Sequence, residues 1–164
     1  MGDDLEVVET TRDHAIATWR TVTFYVWRAG ATTRGAGLFR DTVGRIRAAR
    51  PNGPGVLLGV VEAGTPPPDG PTRQALADGL SRGSGYVQAS ALVFEGDGFQ
   101  ASMARAVATG LALIARPAFP HQVFASVDAG SDWLEGRVRV GAAPAYAGKD
   151  LRSMLRAVRD TPFA

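Results

Sequence analysis

The sequence predicts an α/β domain: a mixed β-sheet with flanking helices, opened by an antiparallel meander, continued by βαβ units and closed by a C-terminal helical extension. Three observations carry this. The apolar runs GVLLGVV, VQASALVF and HQVFASV are separated by stretches of helical period, and such alternation implies right-handed crossovers and a largely parallel sheet. The first thirty residues instead hold three short β-type segments with no helix between them. Residues 137 to 164 fall outside the alternation and carry one amphipathic helical pattern.

Leu5 to Thr10 and His14 to Trp19 alternate or cluster apolar residues as short strands do, and Thr21 to Ala29 is rich in β-branched and aromatic residues. A helix follows, with Thr32 or Thr33 as its cap and Leu38, Phe39, Thr42, Val43, Ile46 and Ala49 on one face. Gly55 to Val61 reads as a strand buried on both faces, which marks the sheet centre. After the loop GTPPPDGP, a helix begins near Pro71, turns Leu76, Gly79 and Leu80 inward, and stops at Gly83-Ser84-Gly85. Val87 to Phe94 is the next buried strand. The turn Glu95-Gly96-Asp97-Gly98 then leads into a helix from Phe99 to Ala115, ended by Pro117. His121 to Val127 is predicted as a further strand before a short helix carrying Trp133 and Leu134. In the extension, Leu151, Met154, Leu155 and Val158 line one side of a helix whose other sides carry Lys149, Arg152, Arg156 and Arg159. The organisation expected is therefore an α/β domain over residues 1–136 and a basic amphipathic helical extension over 137–164.

Composition excludes several classes. The net charge is +2, and seventeen of the eighteen basic residues are arginine; that balance does not mark a nucleic-acid binder. There is no cysteine, so disulfide scaffolds, zinc-thiolate sites and thiol nucleophiles are ruled out. The acidic N-terminus MGDDLEVVE lacks the pattern of a signal peptide, and Phe99 to Ala115 is too short for an integral membrane segment, so a cytoplasmic location is expected. Neither histidine falls in a metal or nucleophile motif, no Gly-x-Ser-x-Gly elbow occurs, and GDGFQAS lacks phosphate-loop or dinucleotide spacing. No cofactor is expected, and an enzyme is unsupported.

Three segments, VLLGVVEAGTPPPDGPTRQAL, ALVFEGDGFQASMARAVATG and FPHQVFASVDAGSDWLEG, resemble the SpoIIAA-like proteins. That family is a branch of the STAS, or anti-sigma-factor antagonist, superfamily and shades into SEC14-like lipid carriers. Phe124-Ala125-Ser126 and Trp133-Leu134 resemble its closing pattern, and the likeness runs from about Leu5 to Gly136. It implies a STAS-type sheet and a regulatory, non-enzymatic role. Anti-sigma antagonists carry a phosphorylated Asp-Ser step at the start of the helix after the central strand, where this chain has Gly70-Pro71-Thr72. The resemblance thus places a switch at Thr72 by topology, not by motif.

The candidate contact surface is the loop after the central strand, with Thr65, Asp69 and Thr72, together with Asp97 on the neighbouring turn. Asp69 or Gly70 can cap the helix, and a phosphate on Thr72 would sit beside its free N–H groups. Equally, the prolines can serve only to stiffen a βα connection. Glu62, Asp69, Glu95 and Asp97 can converge at the carboxyl edge of the sheet, as for a hard cation or acid–base work, or can be ordinary caps. The helix from Phe99 to Ala115 buries a stripe of Phe99, Met103, Val107, Gly110, Leu111 and Ile114, yet is apolar nearly all round. It suits a self-association surface in a homo-oligomer, the flank of an apolar small-molecule groove, or burial under the C-terminal tail. The leading functional expectation is a regulatory module with a protein partner; the alternative is a binder of a small apolar ligand or lipid, and the third is an enzyme using the carboxylates.

Overall fold

The computed structural model describes residues 4–164, apart from the side chains of Phe99, Gln100, Met103, Leu111, Ala112 and Ile114. Strands β1 (Glu6–Thr10), β2 (His14–Trp19) and β3 (Val22–Trp27) form the predicted meander. Helix α1 (Thr33–Ala49) leads to β4 (Gly55–Val61), α2 (Gly70–Arg82) to β5 (Val87–Phe94), and α3 (Gly98–Ala115) to β6 (His121–Phe124). The chain ends with α4 (Val127–Arg137), a small hairpin β7 (Arg139–Val140) and β8 (Ala143–Pro144), and α5 (Gly148–Asp160).

The main sheet has its six strands in sequential order, β1 to β6; β1–β2–β3 are antiparallel and β3–β4–β5–β6 parallel. Sequential parallel strands joined by crossovers of one hand place every connecting helix on the same face. Accordingly α1 and α2 pack on one face, where Phe39, Val43, Ile46 and Leu80 meet Ile16, Tyr25, Trp27 and Leu57. The chain changes face only after β6. There Leu134, Val138, Leu151, Leu155 and Val158 from α4, the following cap and α5 close over Phe24, Val26, Leu58, Val60, Ala91 and Val93. Alternation along β3 explains the division, since Phe24 and Val26 point to one side and Tyr25 and Trp27 to the other.

The basic helix therefore folds back on its own domain. Leu151 and Val158 are fully buried, and Arg152 is paired with Asp132 at 2.7 Å and Asp128 at 3.6 Å on α4. Ala147 gives α5 no side-chain cap, and the Glu135 carboxylate accepts the Gly148 N–H instead. Tyr146 ties the segment to the opposite end of the sheet: its hydroxyl accepts the Thr21 N–H and bonds Thr21 Oγ1 at 2.5 Å, while that hydroxyl donates to the Pro54 carbonyl. This clamp holds the β2–β3 turn, where Arg20 takes a φ of 54° that few non-glycine residues adopt.

Three expectations are corrected. β6 stops at Phe124 rather than Val127, because Ser126 turns out of the strand and caps α4 by accepting from the Ala129 N–H. The tail does not cover α3, since α5 lies against α4, β2 and β3 on the far side of the sheet. In the expected buried stripe of α3, Val107 is 45% exposed, because it stands at the edge of an open cavity; Phe99, Met103, Leu111 and Ile114 lie outside the described side chains. The helix touches α2, β5 and β6, and its buried residue among those described is Ala108.

Candidate functional site

A cavity of about 690 Å³ opens between α2, α3 and the sheet. Among its described side chains, α3 presents Ala101, Ala104, Val107 and Ala108 to the space, and methyl groups fill little of it. On the other face leucines and valines from the sheet and the helices pack against one another. The walls are Phe39, Leu76, Leu80 and Val107, and the floor is Tyr25, Trp27, Val61, Leu92, Phe94 and His121.

A polar line crosses this apolar floor. His121 Nδ1 lies 2.9 Å from the hydroxyl of Ser90, its register partner on the adjacent strand, and Ser90 is wholly buried. The Tyr25 ring joins the same floor from β3, on the same face of the sheet. Its position is possible because its register partner on β4 is Gly59. A Cβ there would overlap Cε2 and Cζ of the Tyr25 ring, so the ring lies across the strand where a side chain would otherwise stand. Burial pushes the Tyr25 phenol well above its ordinary pKa, and it lowers His121 to about 4. Both are neutral near pH 7.

His121 also sets a pH dependence. Its folded pKa of about 4 lies below its ordinary 6.5, so the unfolded chain takes up a proton that the folded chain refuses. The contribution of His121 to stability is then full above pH 6.5, is lost as pH drops towards 4 and changes no further below that, roughly 3 kcal/mol in all. Denaturation midpoints measured across this window for the natural chain and for His121→Gln should show the slope in the first and its loss in the second.

The rim of the cavity is the proline loop. Thr65 Oγ1 donates to the Arg28 carbonyl at 2.6 Å and the Trp27 carbonyl at 3.3 Å, which staples the loop to the end of β3, and Pro66, Pro67 and Pro68 line the opening. Asp69 caps α2, accepting the Thr72 N–H at 2.9 Å, and that bond holds its carboxyl below the usual range. Asp69 and Thr72 do not line the cavity, and Thr72 is only 3% exposed. Asp97 is exposed on the far rim, in a turn whose Gly96 and Gly98 have φ of 112° and 88°. Of the four predicted residues the structure thus joins Thr65 and Asp97 at one opening, and sets Asp69 and Thr72 together on a helix cap beside it.

The carboxylates converge only in part. Glu62 and Glu95 meet at Arg159 of α5, whose guanidinium binds Glu95 through two bonds of 2.5 and 2.9 Å and reaches Glu62 at 3.2 Å. Both acids are thereby held by Arg159, with Arg28 3.9 Å from Glu62, and no group of three or more acidic or histidine side chains able to hold a metal occurs among the described residues. Nor is any helix of the described residues long and apolar enough to cross a membrane.

Sequence reasoning missed Tyr25, Ser90 and His121. The detectable signal was a glycine in the middle of a buried strand beside a tyrosine-bearing one, which marks a close approach of something large. Comparisons with protein-family models, curated proteins and solved structures return no match to this chain.

Proposed function

We propose that this protein binds a small, predominantly apolar molecule in the cavity between α2, α3 and the sheet. The observation that carries the reading is the cavity itself: about 690 Å³, walled by aliphatic and aromatic side chains, with a few polar groups converging on its floor. Ligand sites have that size and that mixture, and in open α/β sheets they lie beyond the carboxyl ends of parallel strands, where this rim stands. The resemblance to SpoIIAA-like proteins, with their lipid-carrying relatives, supports the same reading and with it a STAS-type ancestry.

The rigid proline loop is then the frame of an entrance. A regulatory switch at Thr72 draws less support, because a side chain 3% exposed in the first turn of α2 is offered to a kinase only when that turn opens. The test is uptake of an environment-sensitive apolar dye by the natural chain and by Ala104→Phe, which places a ring in the cavity. Saturable uptake is expected in the first and at least about ten-fold weaker uptake in the second, at unchanged far-ultraviolet circular dichroism. Equal uptake by both chains would refute the cavity as the site.

A further inference from the structure

We infer that the amino edge of the sheet, where α1, α2 and α3 end, is a docking surface for an anionic lipid bilayer. This surface is independent of the cavity, whose rim stands at the opposite, carboxyl edge. Each of the three helices runs back along the sheet and ends before the start of a parallel strand, so their last turns come together at one edge. Hydrogen bonds stitch these ends: Ser81 Oγ donates to the Ala115 carbonyl at 3.0 Å, and the Ala118 N–H donates to Ser84 Oγ at 3.4 Å. Arg47 joins α1 to the same turn, its guanidinium 3.5 Å from the Ser84 carbonyl.

All three ends carry arginine. Arg47 lies in the last turn of α1, with Arg50 as its C-cap; Arg82 closes α2, and Arg116 follows α3. Arg47, Arg82 and Arg116 are exposed. A single cation at a helix C-terminus complements the dipole and needs no other role. Cations on three adjoining ends repel one another unless carboxylates stand between them, and residues 42–61, 79–94 and 98–127 contain no Asp or Glu. Glu6, on β1, is taken by Arg45 at 2.8 Å, and Asp78, one turn before Arg82, accepts the Gln74 amide at 3.0 Å. At the carboxyl edge the balance reverses, with Glu62, Glu95 and Asp97 on the rim of the cavity. Charge separated in this way turns the amino edge towards an anionic surface.

An apolar side chain stands among these arginines. Leu113, two residues before the end of α3, is 71% exposed, and Ala106 and Thr109 precede it on the same exposed side of the helix. A leucine that leaves water for the acyl boundary while arginines meet the phosphates is the chemistry of an interfacial surface. Nucleic acid fits this edge less well, because its aromatic side chains, Trp19, Tyr86 and Phe119, are buried and offer bases no platform for stacking.

The test is sedimentation of the full chain with vesicles of phosphatidylcholine alone and of phosphatidylcholine with about 30% phosphatidylglycerol, in about 0.1 M potassium chloride. Binding to the anionic vesicles is expected to be at least about ten-fold tighter than to the neutral ones, and to be lost at about 0.5 M salt. Arg82→Gln and Arg116→Gln should each weaken it about five-fold, and Leu113→Gln by at least as much. Arg12→Gln removes the same charge from the exposed turn between β1 and β2 at the carboxyl edge, and should change binding less than about two-fold. Equal binding to the two kinds of vesicle, binding to neither, or an equal effect of Arg12→Gln and Arg82→Gln would overturn the inference. Displacement from the anionic vesicles by a single-stranded oligonucleotide at matched phosphate concentration would overturn it too, and would assign the surface to nucleic acid.

Discussion

Replacing Gly59 with valine is expected to lower folding stability by about 3 kcal/mol, the upper end of the usual cost of overpacking a core. The added Cβ would occupy the space of the Tyr25 ring, which is held between β4 and Phe39 at a ring-centroid distance of 4.5 Å from the latter. Phe39 backs the ring on one side, so the added side chain must displace the ring, the strand or both. The same displacement would move a ring that forms part of the cavity floor. Urea denaturation measures the first effect and dye uptake the second. A change below about 1 kcal/mol would mean that Tyr25 can leave its place cheaply, and that the floor is not a built feature.

The second large effect is expected at the other face. Leu155→Ala should cost about 3 kcal/mol, because Leu155 is 1% exposed and a truncated leucine in a closed core leaves a cavity as well as losing transfer energy. A peripheral helix waiting for a membrane or a partner would lose almost nothing on the same change. Thermal unfolding of the natural chain and the variant separates the two, with a fall of many degrees expected if α5 is part of the fold. The helix also supplies Arg159, which joins Glu62 and Glu95 at the rim, so its packing and the geometry of the entrance are linked.

The fold was legible where periodicity is strong. The runs at Gly55–Val61 and Val87–Phe94 are strands with those bounds, and the meander, the helix–strand alternation and the α/β class follow from the sequence, whereas the short hairpin of β7 and β8 does not. Side-chain capping moved boundaries: Ser126 ended β6 early because its hydroxyl serves the next helix. The placement of α5 was undecidable from its own residues, since an amphipathic helix buries its apolar side against any suitable surface. What selected its own domain was the pairing of Arg152 with Asp132 and the anchoring of Tyr146 on Thr21, 125 positions away in sequence.

The candidate site was less legible, for a physical reason. Thr65 and Asp97 follow from loop chemistry and stand at the rim. Tyr25, Ser90 and His121 come from three different strands and have no fixed spacing; the register sets Tyr25 opposite Gly59 and Ser90 opposite His121 on one face of the sheet. Pattern reading treats each of them as an ordinary strand residue. The cavity depends on a subtraction, the small side chains of Ala101, Ala104 and Ala108, and helical periodicity counts alanine as apolar whether it packs or leaves room.

The most direct measurement is a methyl and amide nuclear magnetic resonance titration of the full chain with methyl nonyl ketone, mapped residue by residue. The account predicts saturable shifts at Val61, Leu76, Leu80, Leu92 and His121 around the cavity, with Leu151 and Leu155 on the opposite face unmoved. Shifts confined to α5 or scattered over the surface, or none at saturating probe, would contradict it.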